Sequence, residues 1–256
     1  MLYLIAIVAF LGSLLTLFSG FGLGTLLTPV FGLFFPIHVA IALTGIVHLL
    51  NNLFKLALLG KNAEKKTVLQ FGIPSVIGGF VGAWLLTRLT HIEPMMVWQW
   101  GSRVCSITPL KVVIAILMLF FTFMELIPAL KNLQFARRYL TLGGLTSGFF
   151  GGLSGNQGAL RSAFLINAGL DKNAYIATGV VIACMVDLTR LPLYFARFEA
   201  AALGAEWKVL LLATLCAFAG AWVGNRYLKK MTFTSIQYIT ATLMIVFAVL
   251  LGIGMI

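Results

Sequence analysis

Four side chains in this sequence most need a reason for where they stand: Lys55, Arg161, Asp187 and Arg190 are ionisable residues inside or beside long apolar runs. In hydrocarbon such a charge costs about 2.5–3.5 kcal/mol on insertion scales, and it persists where it faces a cavity, a partner or a solute. Arg161 lies three residues beyond Gly158, within Ser154-Gly155-Asn156-Gln157-Gly158-Ala159-Leu160-Arg161. A glycine-rich interruption there exposes backbone N–H groups at the start of a new half-helix, an anion site in outline. The half-helix contributes partial positive charge, Asn156 and Gln157 donate through their amides, and Arg161 supplies a planar fork suited to oxyanions. A small carboxylate, sulfite or sulfonate fits that chemistry. The alternatives are that Arg161 pairs with Asp187 as a buried strut, or snorkels to a membrane interface.

Asp187 and Arg190 share one helix face just before Pro192, which reads either as a local ion pair or as a gate or substrate contact. The first half of the chain offers Ser19, Thr25, Thr28, Thr44, His48, Asn51, Asn52 and Lys55. Of these, Thr44, His48, Asn51 and Lys55 recur at helical spacing and line one stripe, which faces a cavity or another helix. His48 either carries a coupled proton or makes a helix-to-helix hydrogen bond. The expected substrate-binding set is Arg161, Asn156, Gln157, Gly158, Ser154, Ser19 and Thr25. Asp187, Arg190, His48, Asn51 and Lys55 are the expected gating or coupling groups.

The elements that position these residues are membrane spans. The chain is 61% hydrophobic and 10% charged, with a mean hydropathy of +1.03, far from the roughly 25% charged composition of a soluble domain. Its first Lys, Arg, Asp or Glu is Lys55, and the start reads as a retained span, not a cleaved signal. Hydrocarbon-length segments of about 20 residues fall at roughly 2–33, 37–60, 67–87, 107–128, 139–168, 173–196, 207–228 and 232–256, about eight membrane units. The first and fifth are too long for one comfortable span, and each has glycines near its middle, so both are expected to be broken or re-entrant helices. The net charge of +11 belongs to Lys and Arg flanking the spans, where anionic headgroups attract them, and not to nucleic-acid binding. The basic residues do not settle orientation. Trp98 and Trp100 read as interfacial residues in a polar connection.

Short matches recur in order between the two halves. Ser19-Gly20-Phe21 echoes Ser147-Gly148-Phe149; Thr44-Gly45 echoes Thr178-Gly179; Lys55 falls opposite Arg190. Gly82-Ala83-Trp84 followed by Arg88 echoes Gly220-Ala221-Trp222 followed by Arg226, and Ala115 with Leu117-Met118 and Phe121 echoes Ala241 with Leu243-Met244 and Phe247. The expectation is one all-α transport domain, 1–256, built from two inverted repeats of about 1–128 and 139–256 joined by a linker of about 129–138. Paired broken helices in such a duplication point to a binding site where they meet.

The duplicated architecture, with Ser19-Gly20-Phe21-Gly22-Leu23-Gly24 ending at Pro29 and Ser147-Gly148-Phe149-Phe150-Gly151-Gly152 running on to Arg161-Ser162, resembles the TauE/SafE-type sulfite exporter family, also called the toluene sulfonate uptake permease family. The first motif has Gly24-Thr25-Leu26 where the family has a run of glycines, so second-half residues rank higher as substrate contacts. The resemblance implies transport of a small sulfur-containing anion such as sulfite, sulfoacetate or another organosulfonate.

Other classes fit less well. The sequence has no HExxH, histidine cluster, GxSxG or paired cysteines, so a membrane-embedded enzyme is not expected, and neither is a metal or cofactor. Cys105, Cys184 and Cys216 read as inert small hydrophobes. A passive anion channel is the alternative to a secondary transporter, because one basic site serves either. The expected partners are the anion, the lipid bilayer, a coupling proton or sodium ion and a second copy of the chain in a homodimer. The expected location is a prokaryotic cytoplasmic membrane, crossed several times.

Overall fold

Backbone polar groups in lipid must find partners within the chain, which leaves helices as the means of crossing for a sequence this apolar. The computed structural model describes residues 1–16, 23–198, 207–227 and 234–256. Its helices are α1 (Leu2–Thr16), α2 (Leu23–Gly32), α3 (Ile37–Leu59), α4 (Lys65–Thr90), α5 (Pro109–Leu126), α6 (Leu140–Ser154), α7 (Gly158–Leu165), α8 (Lys172–Arg197), α9 (Trp207–Tyr227) and α10 (Thr234–Gly252). Among the described residues, five helices are long and apolar enough to cross a membrane: α3, α4, α5, α8 and α9. Apolar side chains such as Ile77 and Phe80 on α4 and Leu211 and Leu215 on α9 point outward, as a lipid-facing surface requires. The chain is a multi-pass membrane protein.

Helix ends follow local chemistry. Thr108 caps α5 through a hydrogen bond from the Lys111 N–H at 3.2 Å, with Pro109 in the first turn, and Asp171 caps α8 through the Ala174 N–H at 2.8 Å. Helix α8 runs on through Pro192 to Arg197, and α4 contains a π-turn at Val68–Gly72. The expected connection around Trp98 is in fact an antiparallel hairpin, β1 (Met96–Trp100) with β2 (Arg103–Ile107), turning at Gly101 with φ of 60°. The hairpin is fastened to the end of α10: the Trp98 Nε1–H donates to the Ile253 carbonyl at 2.8 Å, and the Ser106 N–H to the Gly254 carbonyl at 3.2 Å.

Both long units are interrupted. The fifth stops at Ser154, turns through Gly155 at φ 79° and resumes at Gly158. In the first, α1 and α2 lie side by side, a β-carbon on Gly12 standing 3.0 Å from Leu23 and 3.2 Å from Leu26, so the two are not one continuous helix; Ser19 and the rest of 17–22 lie outside the described residues. Ser147-Gly148-Phe149 sits in the unbroken middle of α6.

Glycines let helices from different halves of the sequence touch backbone to backbone. A β-carbon on Gly144, Gly148 or Gly152 of α6 would stand 2.1–2.2 Å from the carbonyl oxygens of Phe71, Ser75 and Gly79 on α4, and one on Gly82 would stand 2.0 Å from that of Phe149. Helix α9 meets α1 in the same manner, with Gly220 against the Phe10 carbonyl at 2.2 Å. Small residues permit this approach where lipid supplies no hydrophobic drive for helix association. Beside each seam an arginine lies over a tryptophan, Arg88 on Trp84 at 5.3 Å and Arg226 on Trp222 at 5.6 Å. Replacing Gly148 by Val is expected to force α4 and α6 apart at a cost of at least about 1–3 kcal/mol, seen as a lower melting temperature and lost monodispersity in detergent. An unchanged melt would mean that the two backbones are not in contact.

Candidate functional site

Helix α2 meets the break between α6 and α7. A β-carbon on Gly24, in the first turn of α2, would stand 3.2 Å from the Gly155 carbonyl oxygen and 3.7 Å from the Thr44 methyl of α3. The start of α2, the turn between α6 and α7 and the middle of α3 therefore border one region, and its lining is polar. Thr25, Thr28, Thr44, Asn156 and Gln157 are all buried. Both polar atoms of the Asn156 amide, the Gln157 Oε1 and the hydroxyls of Thr28 and Thr44 have no hydrogen-bond partner among the described residues. A buried polar atom left in that condition costs about 1–3 kcal/mol, so a cluster of them marks a place built for something other than packing.

Local hydrogen bonds shape the turn. The Ser154 hydroxyl donates to the Phe150 carbonyl at 3.0 Å and accepts from the Asn156 N–H at 3.3 Å, while Ser147 donates to the Gln157 carbonyl at 3.3 Å. Ser154, expected as a substrate contact, is thus engaged in holding the break. Gly158 is the first residue of α7, whose initial N–H groups lie at this turn, and the Gln157 side chain folds back over Gly151. The Tyr194 hydroxyl of α8 donates to the Gly152 carbonyl, pinning the last turn of α6. Tyr194 escaped the sequence reading, although it follows Asp187 and Arg190 on the same face of α8.

Across the region stands a charged cluster. Asp187, fully buried, accepts from Arg190 Nε at 2.9 Å and lies 2.9 Å from Arg190 Nη2. Its other oxygen lies 2.6 Å from His48 Nδ1 on α3. The local ion pair is therefore present, His48 makes a helix-to-helix hydrogen bond, and the ion pair between Arg161 and Asp187 considered from sequence is not formed. Asn52 approaches the His48 ring from the next turn, at 3.1 Å. With its amide oriented as its neighbours require, Asn51 donates to the Ala217 carbonyl of α9 at 3.2 Å. It accepts from Lys55 Nζ at 3.2 Å and from Ser13 Oγ of α1 at 3.1 Å. The stripe on α3 thus faces other helices, as its spacing predicts.

Arg161 stands one turn into α7 and leans on α8, its Nε 3.5 Å from where a β-carbon on Gly179 would be, and its Nη1 has no partner among the described residues. Lys55, Cys184 and Asp187 are within electrostatic reach of it. The guanidinium closest to the break is instead that of Arg190: a β-carbon on Gly155 would stand 3.0 Å from its Nη1. The described ionisable groups of the region thus include three cations, Lys55, Arg161 and Arg190, around the one carboxylate of Asp187. Sequence reasoning could pair Asp187 with Arg190 from their spacing, but no local signal aims Arg190 at Gly155.

The model of the sulfite exporter TauE/SafE family matches residues 5–251 of the chain. No curated protein and no solved structure matches it.

Removing one member of a buried ion pair strands the other. Asp187→Ala is expected to destabilise the protein by about 3–5 kcal/mol, and the double replacement Asp187→Leu with Arg190→Met to cost less than the single change, read by unfolding in detergent. Additive losses would show that the two side chains do not depend on each other.

Proposed function

Since the chain belongs to the sulfite exporter TauE/SafE family, we propose that it is a secondary transporter in the cell membrane that moves a small sulfur-containing anion, such as sulfite, sulfoacetate or another organosulfonate, by alternating access. The reading rests on one observation: on either side of the break between α6 and α7, Asn156, Gln157 and Arg161 have buried polar atoms without a partner among the described residues, near more cations than carboxylates. An anion entering it exchanges water for the first N–H groups of α7, the Asn156 and Gln157 amides and the Arg161 fork. The α7 N–H groups and the Arg161 fork favour negative charge, and the Asn156 and Gln157 amides meet it when they turn their N–H groups toward it. Thr25 of α2 borders the same region, and Ser19 is assigned to it from sequence.

The moving parts we assign are α3 and α8, which carry Asn51, Lys55, His48, Asp187 and Arg190 as gating or coupling groups. The matching contacts of Gly82 with Phe149 and Gly220 with Phe10, each beside an arginine over a tryptophan, support reading 1–128 and 139–256 as two repeats. We take them as inverted by analogy with other secondary transporters.

Purified protein in liposomes tests this directly. Saturable sulfite flux with one-for-one counterflow of labelled anion is expected, since a carrier exchanges and an open pore does not. Arg161→Ala is expected to abolish that flux while the protein still elutes as one folded species, and Arg161→Lys to restore only part, because the planar fork is gone. Wild-type flux in Arg161→Ala removes Arg161 from the site. No saturable flux of sulfite, sulfoacetate or methanesulfonate in the unmodified protein defeats the proposal.

A further inference from the structure

The unused edge of Arg190 is the buried group the transport reading leaves unexplained. Its side chain is 1% exposed, and its Nε and Nη2 grip Asp187. Its guanidinium lies 5.9 Å from the Tyr194 ring centroid with the Tyr194 hydroxyl as a neighbour, and its Nη1 makes no hydrogen bond of good geometry among the described residues. The slot around it exists because two positions lack side chains. A β-carbon on Gly45 of α3 would stand 3.2 Å from Nη2, and one on Gly155 3.0 Å from Nη1. The free edge therefore emerges at the turn where Asn156 also has unsatisfied amide atoms. Arg161 approaches α8 at Gly179, about three turns away along that helix. The two guanidiniums stand apart.

We propose that Arg190 Nη1 forms a second anion station at Gly155, which shares the Asn156 amide with the station at Arg161 and takes its charge from the other guanidinium, and that a proton on His48 strengthens binding there. The inference rests on the transport reading, whose anion it follows one step further. Neutral His48 donates its Nδ1–H to Asp187, and the carboxylate then offsets most of the Arg190 charge. A proton added to His48 places a second full positive charge beside Asp187, at the 2.6 Å contact already in place. The carboxylate is then shared between two cations, and the Arg190 field at Gly155 rises. Arg190 acts on the anion by contact, whereas His48 acts through Asp187 and Arg190 and is a positioning residue.

Besides Asp187, the helices packed around His48 carry His38 and Lys55 on α3, Lys172, Tyr175, Cys184, Arg190, Tyr194 and Arg197 on α8, and Lys208, Cys216, Arg226 and Tyr227 on α9; α2 carries none. Imidazole is the side-chain class that changes charge between about pH 5 and 8, and of the two histidines His48 is the one in contact with Asp187, whereas His38 stands against Phe198. Coupling of about tenfold lies within the usual range for linked sites.

The test measures calorimetric binding of methanesulfonate, which stays ionised throughout, and of sulfite to the full chain in lipid nanodiscs at about pH 6 and about pH 8. Methanesulfonate is expected to bind about tenfold more tightly at the lower pH. His48→Gln, which leaves Arg190 on Asp187, is expected to bind with no pH dependence. Arg190→Lys is expected to weaken binding by at least about tenfold, since one ammonium cannot hold Asp187 and reach Gly155 together; should that variant fail to fold, the His48→Gln profile decides alone. A flat wild-type profile, an unchanged slope in His48→Gln, or wild-type affinity in Arg190→Lys overturns the inference and leaves the transport reading standing. If the wild type binds neither probe at either pH, the transport reading fails, and this inference with it.

Discussion

A carboxylate sealed from water at membrane depth is tolerable only when bases hold it on both sides, and the arrangement of α3, α8 and the interrupted helices follows from that need. Asp187 takes one base, Arg190, from its own helix and the other, His48, from 139 residues away in sequence. The second contact sets how α3 and α8 face each other, because a hydrogen bond of 2.6 Å tolerates little rotation of either helix. Gly45 and Gly155 then leave the width that the arginine fork occupies. Electrostatics and the smallest side chain are two parts of one device, since any larger residue at either position would displace the guanidinium that Asp187 depends on.

Much of this is legible in the chain because lipid simplifies the code. Charged residues in apolar runs are few, so Lys55, Arg161, Asp187 and Arg190 stand out, and the helical spacing of Thr44, His48, Asn51 and Lys55 marks an inward face without any structure. The break at Gly155 is likewise local, as glycines and amides in the middle of an overlong span leave the helix no way to continue. The limits of α8, Lys172–Arg197, fall within a residue or so of the hydropathy boundaries for the same reason.

What sequence could not supply depends on encounters between distant residues. Nothing near His48 names Asp187 as its partner, and nothing near Arg190 says that its fork ends at Gly155 while Arg161 leans toward Gly179. The Trp98 hairpin was hidden because Met96–Ile107 mixes exposed apolar and polar residues without the strict alternation of a half-buried strand, and its hold on Ile253 and Gly254 is again a distant contact. The glycines of α6 advertise close packing, but their spacing does not say that α4 will provide the opposing backbone.

The pairing of α1 with α9 bears on how the protein is made. Helix α1 is the first of these helices to leave the ribosome, yet the surface that receives its backbone, at Gly220, is synthesised only after most of the other helices. The α4–α6 seam closes far earlier in synthesis. Contacts between distant parts of a chain form late because the intervening loop must first be ordered. The order of synthesis therefore makes the α4–α6 seam available first, leaves α1 without its partner surface until α9 has been made, and withholds Gly155 from α2 until more than half of the chain has been translated.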